Sequence, residues 1–246
     1  LLADCAADEA CNAAFPDLEQ RFFTFLREKS VDPLAVTIQD PESGQERTFF
    51  LDGADLITVF TAAATAEVGS IPYLINQLIS GEEEMIKARL LQLLEGPGSG
   101  AGMGVRLSVW CAEEEPFNHQ SRIQEEELRY EEVRGLSSTV FSDAVCEAWS
   151  VLAESKIENE PVQTDVPILL LNGEYDNETP PQWASEMSTS FSNSYQLIFK
   201  GWKHGVTTNW GNPCGMEVAN AFFNNPRECP KPACFGLLAS PEFKVE

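Results

Sequence analysis

Residues 166–205 hold the arrangement that most restricts what this chain can become. Pro167 to Leu171 is a continuous apolar run, the pattern of a parallel strand buried on both faces. It runs into a Gly-containing loop that carries Asp176. Thr179-Pro180-Pro181 then opens a predicted helix, with proline where a first helical turn tolerates it. A second apolar stretch, about Tyr195 to Phe199, follows, and the chain turns at Gly201 to present His204. Strand, helix and strand in this order make a right-handed crossover, so the two strands are expected to lie parallel in one sheet. Asp176 and His204 would then stand past the carboxyl ends of neighbouring strands, where open α/β sheets bind ligands.

The chain ahead of this unit reads differently. Residues 1 to about 30 are predicted helical, with Leu18, Phe22, Phe23 and Leu26 at helical spacing. Ala35 to Ile38 and Arg47 to Leu51, around the turn-rich Asp40-Pro-Glu-Ser-Gly44, read as a hairpin. Amphipathic helices are expected over about 54–66, 71–80 and 82–94. The glycine-rich stretch 96–104 is read as a linker and a domain boundary. It matches neither phosphate-loop spacing, and it precedes a strand where such a loop should follow one. That strand is Val105 to Trp110, leading into Glu113, Glu114 and Glu115. Helices are expected over 120–134 and 142–152, and a last one near 214–223 before a Pro-rich tail.

Charge removes several classes of function. Lys and Arg total 16 against 39 Asp and Glu, a formal net charge of −23. Such a field repels nucleic-acid backbones and anionic lipid, and weakly suits a cationic substrate. No apolar run reaches the ~18 residues needed to span a bilayer. The seven cysteines favour an extracytoplasmic compartment. Spacing suggests the pairs Cys5/Cys11, Cys111/Cys146 and Cys229/Cys234, with one thiol left over. Neither His119 nor His204 stands at zinc-ligand spacing from them, so no metal and no cofactor are expected. No export signal is visible ahead of these cysteines, which suggests a mature form or a chain lacking its beginning.

An Asp followed by a His, each just past a buried strand and one crossover apart, has a chemical reading. The carboxylate holds the imidazole in one tautomer and stabilises its protonated form, two of the three parts of a Ser-His-Asp machine. The bland alternative is a turn-capping Asp and a surface His. The acid-then-base order is that of α/β-hydrolases, but their elbow signature Gly-x-Ser-x-Gly occurs nowhere in the 246 residues. Ser99 has Pro97 and Ala101 where glycines should stand, and Ser188, Ser190 and Ser192 follow the acid. Cys111 is a formal thiol candidate, better explained by a disulfide with Cys146. Glu113 or Glu114 could receive a free amino terminus, against the reading of a solvated acidic loop. Trp183 and Trp202 flank the acid and base loops, where they would line a pocket or serve packing. His119 is read as a surface residue.

Taken together, D-C-A-A-D-E-A-C-N-A-A-F-P-D-L, V-R-L-S-V-W-C-A-E-E, C-E-A-W, V-P-I-L-L-L-N-G-E-Y-D-N-E-T-P-P-Q-W-A and K-G-W-K-H-G-V resemble the C-terminal part of an α/β-hydrolase. The group is the tripeptidyl-aminopeptidase-like one, related to prolyl aminopeptidases. The resemblance implies an α/β fold: a mainly helical lid with a short hairpin over residues 1–100, then the last parallel strands and helices of the core over 101–246. It implies Asp176 as triad acid, His204 as triad base, and a Cys214–Cys234 pair that leaves Cys229 odd. It implies hydrolysis of a small peptide or ester through an acyl-enzyme, often at a free amino end, in exported bacterial-type or fungal-type proteins. The family's nucleophile half is not in this sequence. The chain alone is therefore expected to be inactive, to need that half, and to expose an apolar strand edge. The competing expectations are a partner-dependent or non-catalytic subunit, a binding module, or an esterase of the same fold.

Overall fold

The computed structural model describes residues 1–61, 65–94, 102–130 and 142–246. Most of the expected linker, Ser99 within it, and the end of the expected helix 120–134 lie outside the described residues. In chain order the elements are α1 (Leu2–Ala7), α2 (Glu9–Ala14), α3 (Leu18–Val31), β1 (Leu34–Gln39), β2 (Glu46–Leu51), α4 (Gly53–Thr61), α5 (Ile71–Ile79) and α6 (Glu84–Leu94). There follow α7 (Met103–Val109), α8 (Gln120–Arg129), α9 (Asp143–Trp149), β3 (Ile168–Gly173), α10 (Pro181–Ser188), β4 (Ser194–Phe199) and α11 (Cys214–Asn224). They belong to two compact units. One joins Leu1–Pro16, Ala63–Tyr73 and Pro161–Glu246, and the other Asp17–Ala62 and Leu74–Glu160.

The second of these units holds the hairpin and most of the helices. β1 and β2 pair antiparallel, with Leu34 opposite Leu51 and Gln39 opposite Glu46. Asp40 caps the turn: its carboxylate accepts from the N–H groups of Ser43 and Glu42 and pairs with Arg47 at 3.0 Å. Val36 and Ile38 point inward from β1, and Leu18, Phe22 and Leu26 form the buried stripe of α3. Phe22 meets Phe60 of α4 edge-to-face, with ring centroids 5.5 Å apart.

One expectation in this unit fails. Residues 105–110 are not a strand: α7 covers 105–109 and runs into a π-helical turn, Trp110–Glu114. The alternation of Val105, Leu107 and Val109 suits a strand, yet an extended segment needs a neighbour for its N–H and C=O groups. A helix satisfies its own, and the Cys111–Cys146 disulfide ties its end to α9. The indole N–H of Trp149 adds a hydrogen bond to the Ser108 hydroxyl at 3.0 Å.

The other unit is a small α/β/α layer. β3 and β4 pair parallel, Ile168 with Ser194 through Gly173 with Phe199, as the crossover reading expects. Leu169, Leu171, Leu197 and Phe199 share one face and pack with Trp202, Val206, Val218 and Phe235. Tyr195 on that face meets Phe222 of α11 edge-to-face at 6.4 Å. On the opposite face Gln196 donates to the carbonyl of Pro181 and accepts from Ser185, which ties α10 down. The apolar run itself is less covered than a strand buried on both faces: Ile168 to Leu171 are all half-buried, and Ile198 is exposed. Among the described residues this sheet has two strands, where a parallel sheet usually has more to hide it.

The disulfides are Cys5–Cys11, Cys111–Cys146 and Cys214–Cys234, and Cys229 is free. The pairing Cys229/Cys234 suggested by spacing is therefore corrected to the one implied by the family resemblance. Cys214 sits on α11 inside the sheet core, and its partner packs against the same cluster. Three disulfides suit an oxidising, extracytoplasmic environment. No described helix is long and apolar enough to cross a membrane.

Candidate active site

The ends of β3 and β4 converge because glycine lets them. A β-carbon on Gly173 would overlap the carbonyl oxygens of Trp202 and Lys203, so only hydrogen permits the loop after β4 to close on the loop after β3. The N–H groups of Glu174 and Tyr175 extend the ladder to the carbonyls of Phe199 and Trp202, at 2.9 and 2.8 Å. Gly201 and Gly205, at φ +74° and +80°, form the turns that flank His204.

Asp176 lies in the acid loop and is 7% exposed. Its Oδ1 accepts from the N–H groups of Glu178 and Thr179, at 2.9 and 2.8 Å, and its Oδ2 from the Thr179 hydroxyl at 3.0 Å. His204 Nδ1 lies 3.0 Å from Oδ2 and 3.2 Å from Oδ1. Burial pushes the carboxyl's pKa up. The N–H groups of Thr179 and Glu178, the Thr179 hydroxyl and the imidazole outweigh it and hold the group below the usual aspartate value. The site therefore keeps an anion where water is mostly excluded. The His204 side chain is 44% exposed, with Nε2 as its open nitrogen, 3.9 Å from a Glu178 carboxylate oxygen. An imidazole held at Nδ1 and open at Nε2 is in the posture of a general base.

Both loops are braced. Glu174 accepts from the N–H of Gly201 at 2.8 Å, and the Thr65 hydroxyl accepts from the N–H of Lys203 at 3.0 Å. The Tyr175 hydroxyl donates to Asp4 at 2.8 Å. Burial, then this bond to an anion, pushes the Tyr175 pKa far above the phenolic value.

Of the residues singled out from sequence, Asp176 and His204 come together. Trp183 lies on α10, 58% exposed, and Trp202 is buried in the sheet core. Glu113, half-buried, and Glu114, exposed, belong to the other unit and lie in the π-helical turn, not past a strand end. His119 is exposed at the start of α8. Among the described residues no group of His, Cys, Asp and Glu is placed to hold a metal ion. Sequence reasoning passed over Thr179, which it read only as a helix opener. Its place three residues after an acid in a turn was the available signal, since Asp side chains bond backbone N–H groups at that distance.

No curated protein matches the chain, and no solved structure does. Residues 135–233 match the family model of the TAP-like proteins, an α/β-hydrolase family. The matched stretch contains β3, α10, β4, α11, Asp176 and His204, and leaves Glu113 and Glu114 outside it. With its parallel pair carrying an acid and a base at adjoining ends, this stretch is similar to the C-terminal part of a TAP-like α/β-hydrolase.

Proposed function

We propose that Asp176 and His204 are the acid and base of a serine hydrolase, aminopeptidase-like in its substrate. The hydrogen-bonded pair at the ends of two parallel strands carries the reading. The 246 residues hold no Gly-x-Ser-x-Gly, so the nucleophile comes from outside them, in a longer polypeptide or in a partner. In this reading residues 1–100 form the lid and 101–246 the C-terminal part of the core, and these residues alone do not turn over substrate.

His204 Nε2 takes the serine proton as Oγ bonds to the carbonyl carbon. The imidazolium, balanced by Asp176, returns that proton to the leaving amine or alcohol as its bond to carbon breaks. Water then repeats the sequence on the acyl-enzyme and releases the acid. Trp183, solvent-facing on α10, is read as lining the substrate path. The net charge of −23 supports a cationic amino end over an anionic substrate.

The test applies a fluorophosphonate probe to the protein as isolated from its source, with whatever polypeptide accompanies it. The expected label falls on a Gly-x-Ser-x-Gly serine beyond these residues, and His204→Ala lowers kcat by about 10⁶-fold. Labelling of a serine within the 246 residues, or labelling indifferent to His204→Ala, overturns the proposal.

A further inference from the structure

We infer that Thr179 is a positioning residue that holds the proton of His204 on Nδ1 and so leaves Nε2 free to act as base. The inference rests on the hydrolase reading for its purpose, but not for its geometry. A threonine hydroxyl has one proton. Here that proton goes to Asp176 Oδ2, at 3.0 Å. The same oxygen lies 3.1 Å from His204 Nδ1, and with its proton committed it can only accept. The carboxylate beside it can only accept as well. Every neighbour of Nδ1 named here is thus an acceptor, and the ring must be the donor at that nitrogen.

The hydroxyl has work to do because the two ends of the ring are contested. Asp176 faces Nδ1, while the Glu178 carboxylate stands 3.9 Å from Nε2 and draws the proton to the other side. Among the described residues, Asp176 is anchored by two backbone N–H groups at Oδ1, but at Oδ2, the oxygen nearer the ring, only by Thr179 besides the ring itself. Thr179 is fixed in turn from β3: Asn172, 6% exposed, donates from Nδ2 to its carbonyl at 3.2 Å. Removing the hydroxyl frees Oδ2 to swing and tilts the contest toward Glu178.

The experiment is ¹⁵N NMR of the protein labelled at histidine, at about pH 8.5. These residues contribute two imidazoles, and His204→Ala assigns the signal. Wild type and Thr179→Ser are expected to show a protonated Nδ1 and a bare Nε2. Thr179→Val should raise the share of the Nε2–H form at least tenfold, and adding Glu178→Gln should reverse that rise. Unchanged shifts in Thr179→Val, or a Ser variant that behaves like Val, overturn the inference. The shifts need no turnover. If this tautomer pattern holds but the fluorophosphonate labels no serine in the protein isolated from its source, the hydrolase reading alone fails; if labelling depends on His204 but the pattern is missing, the role of Thr179 alone fails.

Discussion

The two strand pairs of this molecule are built on opposite terms. β1 and β2 are joined by six residues and pair antiparallel, with their turn capped from within by Asp40. The ladder and turn hydrogen bonds that set the hairpin's register come from its own few residues. β3 and β4 lie parallel, and the chain must leave the sheet, form α10 and return before they meet. Their loops depend on partners far along the chain: Thr65 on Lys203, Asp4 on Tyr175, Cys214 on Cys234. The hairpin's pairing is set locally, although Val36 and Ile38 are buried in the core, and the parallel pair is assembled from distant segments. Assembly is what lets two side chains distant in sequence, Asp176 and His204, share a proton.

This contrast sets an order of sensitivities. Removing the Cys214–Cys234 bridge, as Cys214→Ala with Cys234→Ala, should cost about 3 kcal/mol for a loop of this size. Non-reducing urea unfolding of the parallel-pair unit is the measure, and an unchanged midpoint would make that unit's pairing as local as the hairpin's. Gly173→Ala should cost about 2 kcal/mol through overpacking against the backbone of Trp202 and Lys203. It should also move the His204 ring signal, because the two loops can no longer close; a lost midpoint without that change would separate stability from the site.

Asp40→Asn should do least and should leave the His204 signal alone. Its carboxyl is held down at about 2, first by the Ser43 N–H and then by Arg47. A depressed acid stabilises the fold above its unfolded value of 3.8 and loses that contribution as pH falls through about 2. The small deficit of the Asn variant should therefore be present at neutral pH and fade as pH falls from about 4 to 2, in thermal melts across that range. A deficit that persisted at pH 2 would assign the role to shape and not to charge.

Local devices were readable from residue types. The turn residues at 40–44 announced the hairpin, helical spacing of Leu18, Phe22 and Leu26 the stripe of α3, and the apolar runs the two parallel strands. Pro180-Pro181 placed the start of α10, and the loop positions of Asp176 and His204 followed. The failures share one cause, which is that the deciding partner lay elsewhere. Val105 to Val109 alternates as a strand does, yet no residue type there says whether another strand will stand beside it. Cys229 is near Cys234 in sequence, but α11 turns Cys214 into the core where Cys234 packs. Thr179 read as a helix opener because its second role needs a carboxylate and an imidazole brought to the same hydroxyl.

By itself, then, the order of residues determined which segments coil and extend, where they turn, and which two chemical groups follow the strands. Those outcomes depend on neighbours within a few positions, through backbone hydrogen bonds, proline geometry and apolar periodicity. Tertiary structure alone decided that 105–109 is helical, that Cys214 takes Cys234, and that Thr179 stands between acid and base. Each is a choice among partners that local sequence leaves equally open, and it is settled by which groups the packed chain brings within bonding distance.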